Sequence, residues 1–213
     1  MPRTITYKVY SFRELSEAAK EKAIQWYREK FDDREPAWAE ENRQSMEAFA
    51  EVFPVKVRKW QYDQSNGFVA FDFTGEDAVE ALTGQRLATY IWNNYGTRLF
   101  KGKYYSTTFK PHVKDAEHPA GLSYKHRHSN IMLEGMNCVL TGYCMDDDLL
   151  EPIYKFLDHP DGRDFRELLQ DCFDQWVSAC VKDYEYQGSD EYIAETLEAN
   201  DYEFKHNGSR ACV

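Results

Sequence analysis

The fold is decided by residues 164–186, DFRELLQDCFDQWVSACVKDYEY. Apolar residues recur there every three or four positions without an interrupting Gly or Pro, which predicts a single helix roughly 35 Å long. The apolar stripe consists of Phe165, Leu168, Leu169, Cys172, Phe173, Trp176, Val177, Cys180 and Tyr184. The opposite face carries Glu167, Asp171 and Asp174 at the same helical spacing. We therefore expect a central helix with one buried face and one acidic face.

The composition indicates a folded chain, because 213 residues are enough to bury a sizeable core. Hydrophobic residues make up 42% and aromatic residues 15% of the sequence, which favours a folded chain over a disordered one. The longest apolar runs are far shorter than the roughly 20 residues of a membrane span, and no signal peptide opens the chain. The cysteines lack CxxC spacing, which favours a reducing compartment. We expect a cytosolic protein without a membrane partner.

Charge is distributed unevenly along the chain, whose net charge is −11. Residues 131–213 hold 6 Lys and Arg against 19 Asp and Glu, a net charge of −13. Residues 1–130 hold 20 against 18, a net charge of +2. Because a strongly negative surface repels phosphate, this asymmetry argues against direct nucleic-acid binding.

Residues 1–98 predict an N-terminal α+β lobe. Ser11 and Glu14 have the spacing of a capping box. A further helix is predicted at about 37–52, and it presents Trp38, Ser45, Met46 and Phe49. The alternating segments 55–62 and 68–74 flank an Asn-Gly dipeptide and predict a β-hairpin.

Residues 99–130 break the helical pattern and predict a basic loop or linker rich in His and Tyr. Its basic and aromatic patch consists of Lys101, Lys103, Tyr104, Tyr105, Lys125 and Arg127. Such residues contact RNA or phosphate, or they dock against an acidic partner. His126 and His128 would face one side of an extended strand and are candidate metal ligands. No flanking spacing completes a metal site, so we expect neither a metal nor another cofactor.

Residues 131–213 predict an acidic, mainly helical lobe that ends in a hairpin at Asn207-Gly208. Residues 137–143 are apolar enough for a buried strand, and the aspartates at 146–148 favour a helix N-terminus. Ser189 or Asp190 caps a last helix. The whole chain is therefore predicted to be α+β, with amphipathic helices packed against short antiparallel hairpins, and its two lobes are compatible with a single domain.

Two rows of carboxylates form the main candidate surface for binding a partner. The first row consists of Glu167, Asp171 and Asp174, and the second of Glu191, Glu195 and Glu198. Neighbouring carboxylates in such rows are roughly 5–6 Å apart, which is comparable with phosphate spacing along a nucleic-acid strand. The residues leave two interpretations open: a ligand for a cationic groove, or a solvated face that keeps the chain in solution.

A metal-dependent nuclease or phosphodiesterase is an alternative. Glu203-Phe-Lys205 places a carboxylate and a lysine on one face of a predicted strand, and Asp183, Asp190 or Asp201 lies upstream. Such groups hold Mg²⁺ and orient the attacking water in metal nucleases. The acidic surroundings would repel a phosphate substrate, so we expect a protein that is not an enzyme.

Three stretches of the sequence carry a resemblance to a known family. They are YSFRELSEAAKEKAI at residues 10–24, LTGYCMDDDLLEP at 140–152, and DYEYQGSDE at 183–191 together with NDYEF at 200–204. They resemble small proteins of tailed bacteriophages and prophages that are often labelled as antitoxins of toxin–antitoxin stability systems. The resemblance implies a phage-encoded protein that acts in the cytoplasm of a host bacterium. It transfers no catalytic residue.

Charge and resemblance together give a working hypothesis of function. We expect a non-enzymatic phage protein that blocks a host nucleic-acid-handling defence complex, with its acidic surface mimicking nucleic acid in the manner of an anti-CRISPR protein. The expected partner is a host protein or ribonucleoprotein with a cationic groove. The alternative is an antitoxin-like neutraliser of a basic toxin. The sequence leaves the oligomeric state open.

Overall fold

The computed structural model describes residues 6, 8–31, 36–100, 105–110, 122–127 and 138–211, and at 31, 105–110 and 122–127 it describes the backbone alone. Helices and strands are mixed along the chain, which confirms the α+β class. The α-helices are α1 (Glu17–Phe31), α2 (Ala39–Val52), α3 (Asp77–Glu80), α4 (Gly84–Leu99), α5 (Met145–Asp158), α6 (Phe165–Gln187) and α7 (Asp190–Ala199). The strands are β1 (Tyr10–Ser11), β2 (Val55–Tyr62), β3 (Gly67–Phe73), β4 (Tyr105–Lys110), β5 (Leu122–Arg127) and β6 (Glu203–Phe204). None of the helices in these ranges is long and apolar enough to cross a membrane.

The strands pair two by two. β2 and β3 pair across the turn 63–66, as their alternating sequences predict. β4 and β5 are antiparallel, with Tyr105 opposite Arg127. β1 and β6 are also antiparallel, with Tyr10 opposite Phe204. This last pair joins two segments far apart in sequence.

The chain forms two compact units, each built from several sequence segments. The first unit comprises Met1–Glu40, Gln61–Gly67 and Ser178–Val213. The second comprises Glu41–Trp60 and Phe68–Val177. The linear division at residues 98 and 130 stays a prediction.

The core of the first unit is formed by the 3₁₀ helix Phe12–Glu14, α1, α7 and β6. Its buried members are Phe12, Leu15, Ala19, Ala23, Ile193, Leu197 and Phe204. Phe204 packs edge to face against Phe12 and Trp26, each at a centroid distance of 6.3 Å. The predicted capping box is present, since Glu14 Oε2 accepts hydrogen bonds from the amide of Ser11 at 2.8 Å and from its hydroxyl at 2.9 Å.

The C-terminal hairpin lies against α1. The Lys205 amide donates to the Ser209 carbonyl at 2.8 Å, which closes the predicted turn at Asn207-Gly208. Gly208 has a positive φ of 82°, and a Cβ atom at this position would lie 2.1 Å from the Ala19 carbonyl oxygen. Glycine is therefore required here both by the backbone conformation and by the close approach to α1.

The core of the second unit is organised around the first three turns of α6. Phe165, Leu168, Leu169, Cys172, Phe173 and Trp176 are fully buried, and Val177 is 9% exposed. The stripe predicted from residues 164–186 is confirmed over this part, and Cys180, in the first unit, is also buried. The Trp176 indole N–H donates to the Asn42 carbonyl at 3.0 Å, and its ring packs edge to face against Trp60 at 5.7 Å.

The segment before α5 differs from the sequence-based expectation of a buried strand at 137–143. Residues 139–143 form turns in the structure, with a φ of 99° at Gly142. The fully buried carboxylate of Asp146 accepts hydrogen bonds from the amides of Leu140 at 2.9 Å, Thr141 at 2.7 Å and Gly142 at 3.2 Å. The Thr141 hydroxyl donates a fourth bond at 2.8 Å. The chain wraps around one carboxylate because backbone amides directed inward from a turn need an acceptor.

Candidate binding surface

Helix α7 presents part of the predicted acidic surface in the first unit. Ser189 caps it, since its hydroxyl oxygen accepts a hydrogen bond from the Tyr192 amide at 3.2 Å. Ile193 and Leu197 are fully buried and fix the orientation of the helix. Glu191 and Glu195, one turn apart, are consequently exposed to solvent.

The acidic side chains of α7 differ in their partners. Asp190 pairs with Arg28, and Glu198 pairs with Arg13 at 2.8 Å. Glu191 and Glu195 contact no cationic side chain within the part of the chain that the structure describes. Their two charges are therefore not offset by a described ion pair, whereas those of Asp190 and Glu198 are.

Three aromatic rings lie beside these carboxylates and form an aromatic cluster of Trp38, Tyr186 and Tyr192. Trp38 and Tyr192 meet edge to face at a centroid distance of 6.1 Å, and Tyr186 and Tyr192 at 5.4 Å. Trp38 is 38% and Tyr186 44% exposed, so both rings offer a substantial apolar area to solvent. The helix predicted at about 37–52 begins at Ala39, so Trp38 lies in the turn before α2 and not on the helix.

A hydrogen bond to the buried Gln187 side chain joins the segment of Trp38 to the end of α6. Gln187 is 1% exposed, and its Oε1 accepts a hydrogen bond from the Ala37 amide at 2.8 Å. Arg28 Nε donates to the Gly188 carbonyl at 3.3 Å, just before α7. The first bond restrains the residue next to Trp38, and the second restrains the connection between α6 and α7.

The charges of the two carboxylates affect the pKa of one of the three rings. Desolvation, followed by the negative charges of Glu195 and Glu191, raises the pKa of Tyr186 above its ordinary value. The phenol therefore stays neutral at physiological pH. We call Trp38, Tyr186, Tyr192, Glu191 and Glu195 together the aromatic–carboxylate surface. Sequence reasoning found the two carboxylates but not the three rings, because Trp38 is distant in sequence and the off-stripe position of Tyr186 was the only local signal.

The carboxylate row on α6 lies in the second unit, and each member has a partner within it. Asp171 pairs with Arg163, which also pairs with Asp161 at 2.7 Å. Asp174 Oδ1 accepts a hydrogen bond from Gln170 Nε2 at 2.8 Å. Glu167 Oε2 accepts one from the amide of Asp164, at 3.0 Å, and so helps to begin the helix. Each carboxylate of this row therefore already takes part in an ion pair or a hydrogen bond within its own unit.

Three described thiols, those of Cys138, Cys172 and Cys180, lack the environment of an activated nucleophile. Cys172 and Cys180 are fully buried. Burial, followed by the charge of Asp147, raises the pKa of Cys138 to about 11, so this thiol is protonated at neutral pH.

The predicted basic patch falls largely outside the described residues. Lys101, Lys103 and Tyr104 lie outside them, and so does the candidate metal ligand His128. Tyr105 lies in β4, whereas Lys125, His126 and Arg127 lie in β5, where the backbone alone is described. The register places His126 opposite Ser106. The patch and the metal site stay predictions.

The residues of the nuclease alternative lie within the described ranges, and the alternative stays a prediction. Glu203 lies on β6, Asp190 pairs with Arg28, and Asp201 has a positive φ of 50° in the turn after α7. Within the described ranges, no three His, Cys, Asp or Glu side chains are grouped as metal binding requires.

A cavity of about 410 Å³ lies in the first unit between the 3₁₀ helix and α7. Arg13, Glu198, Asp201 and Tyr202 are among the residues that line it. Arg13 pairs with Glu198, so the carboxylate of Asp201 adds a further negative charge to the cavity wall.

Comparison with known proteins gives no relative: no protein-family model, no curated protein and no solved structure matches this chain. The interpretation of the surface therefore depends on its own geometry and charge.

Proposed function

We propose that this chain is a phage-encoded binding protein, without enzymatic activity, that blocks a host nucleic-acid-handling defence complex by occupying its cationic groove. The observation that carries the proposal is the pair Glu191 and Glu195 on α7, which are exposed and contact no cation among the described residues. The net charge of −13 over residues 131–213 adds long-range attraction to a basic partner.

The difference between carboxylates with and without an arginine partner indicates which of them are available to bind the host complex. Asp171 and Glu198 already hold arginines of their own unit, so replacing them would disturb local structure as well as binding. Glu191 and Glu195 can be changed without breaking a described ion pair. Glu191 and Glu195 are therefore the part of the acidic surface assigned to the partner.

The proposal is tested by displacement of labelled duplex DNA from a purified RNA-guided host effector complex, together with phage plating on bacteria that carry this defence. Wild-type protein should displace the DNA, and it should do so less well as salt rises, because ions screen exposed charges beyond about 8–10 Å. The double variant Glu191→Lys with Glu195→Lys should lose roughly tenfold or more in apparent affinity.

The matched control reverses two exposed glutamates on other helices, Glu21→Lys on α1 and Glu51→Lys on α2, and so changes the net charge equally. It should retain most of the displacement activity. Equal losses in the two double variants would show that only net charge matters. Failure of the wild-type protein to displace DNA or to protect phage would remove the proposed target.

A further inference from the structure

We propose that the aromatic–carboxylate surface binds an arginine side chain on a basic segment of the partner protein. The inference depends on the proposed function and specifies the chemistry of its contact. It goes beyond attraction between opposite charges, since the aromatic rings of Trp38, Tyr186 and Tyr192 would also contact the arginine.

The rings supply the first part of the argument. Trp38 and Tyr186 are both more than one-third exposed, and each meets Tyr192 edge to face, so the three rings form one continuous aromatic surface. Aromatic faces attract cations through their quadrupole, and indole does so most strongly. An aromatic surface that remains exposed also loses unfavourable water contact when a flat side chain covers it.

The carboxylates supply the second part. Glu195 and Glu191 lie close enough to the Tyr186 phenol to disfavour its negative form. A cation placed over the Tyr186 ring therefore also lies in the field of these two charges, and it would offset charges that have no described partner. An anionic or nucleic-acid ligand would meet repulsion at the same place.

The geometry favours arginine over lysine. A guanidinium is planar, so it stacks on a ring while its N–H groups donate to a carboxylate, and it is less strongly hydrated than an ammonium group. The first unit itself contains a guanidinium placed over aromatic rings, since that of Arg210 lies 5.2 Å from the Trp26 centroid and 5.1 Å from that of Tyr202.

Hydrogen bonds within the first unit also position the aromatic–carboxylate surface before a ligand binds. Gln187 ties the Trp38 segment to α6 through the Ala37 amide, and Ser189 caps α7 at the same end of the unit. Rings that are already positioned lose little conformational freedom when they bind, which raises affinity for a given contact.

The test measures binding of a short unstructured peptide of alternating arginine and serine by titration calorimetry at low salt. Two further peptides replace each arginine with lysine or with citrulline, which has nearly the same shape without the charge. Binding should be tightest for the arginine peptide, weaker for the lysine peptide and weakest for the citrulline peptide. Equal binding of the arginine and citrulline peptides would overturn the inference, and so would preferential binding of a single-stranded oligonucleotide.

Variants locate the contact. Trp38→Ala and Tyr186→Ala should each weaken arginine-peptide binding by about two- to fivefold, and Glu191→Gln with Glu195→Gln by a similar factor. The controls Phe68→Ala and Tyr143→Ala remove rings that are 38% and 40% exposed in the second unit, and they should leave binding unchanged. Because the glutamine variant preserves shape, it remains informative if an alanine variant does not fold. Unchanged binding in the glutamine variant would contradict the assignment.

The DNA-displacement assay separates this inference from the proposed function. If the wild-type protein displaces DNA but does not distinguish arginine from citrulline, the arginine contact is wrong and the acidic binding protein stands. If the peptide distinction holds but no DNA is displaced, the surface binds arginine and the proposed target is wrong.

Discussion

Three carboxylates on helices of this protein show how the environment of a residue decides its role. Asp146 is fully buried and accepts four hydrogen bonds from the turn around it. Asp171 is half-buried and pairs with Arg163. Glu191 is exposed and contacts no described cation. The first stabilises a fold, the second stabilises a surface, and the third is available to a partner.

Replacement of Asp146 by asparagine tests the first role. All three backbone amides donate to the same oxygen, Oδ2, and an asparagine oxygen can take its place while the NH₂ group faces the Thr141 hydroxyl. Asp146→Asn therefore removes the negative charge that strengthens these bonds, and we expect it to lower the free energy of unfolding by about 2–3 kcal/mol. Chemical denaturation monitored by circular dichroism measures the change. The control Asp77→Asn also removes a charge from the first turn of a helix, but at an exposed site, and should cost no more than about 0.5 kcal/mol. Equal costs would mean that the turn does not depend on the carboxylate.

At the scale of elements, α6 fulfils the role that its sequence predicts. Its apolar stripe is buried from Phe165 to Cys180, and its rings contact several neighbours. Phe173 meets Phe49 of α2 at 5.3 Å and Phe71 of β3 at 4.9 Å. One helix thus contributes to the packing of a helix and a strand because its stripe is wider than a single neighbour can cover.

The stability of the second unit is therefore predicted to depend on Trp176. Trp176→Ala should lower the free energy of unfolding by about 3–5 kcal/mol, because it leaves a cavity in a close-packed core. Trp176→Phe keeps a ring but removes the indole hydrogen bond to the Asn42 carbonyl, and should cost less, about 1–2 kcal/mol. Thermal melting followed by circular dichroism compares the two. A melting temperature unchanged by Trp176→Ala would show that the buried face of α6 has been assigned wrongly.

At the scale of the whole molecule, segments from both ends of the sequence build the first unit. β1 pairs with β6, and the C-terminal hairpin approaches α1 at Gly208. Trp38 reaches Tyr192 from a distant part of the sequence, so the aromatic–carboxylate surface exists only when these segments come together.

The close approach at Gly208 gives a test of this arrangement. Gly208→Ala combines a positive φ of 82° with a clash against the Ala19 carbonyl, whereas Gly142→Ala has a φ of 99° and nothing within 4 Å of the added methyl group. We expect Gly142→Ala to cost about 1–2 kcal/mol from backbone strain alone, and Gly208→Ala to cost more. Hydrogen exchange should show lost protection in α1 and in the hairpin for Gly208→Ala. Protection equal to that of wild type would mean that the hairpin does not rest on α1.

Features of this protein that depend on residues close together along the chain are predictable from its amino-acid sequence. Periodicity predicted the stripe of α6, and local chemistry predicted the capping box at Ser11 and the turn at Asn207-Gly208. The charge asymmetry that supports the proposed function is likewise a property of composition. These features follow from helix geometry, hydrogen bonds over three or four residues, and summed charge.

Contacts between residues that are distant in sequence become visible only in the folded structure. The turn around Asp146 looked like a strand because its apolar residues are indistinguishable from a buried run until the carboxylate is placed among them. Nothing in the local pattern distinguished Glu195 from Asp171, whose arginine partner is set by packing. The sequence around Trp38 does not indicate that its ring contacts Tyr192 of α7, which is distant in sequence. Long-range contacts are chosen by the packing of the whole core, and a local pattern does not encode that choice.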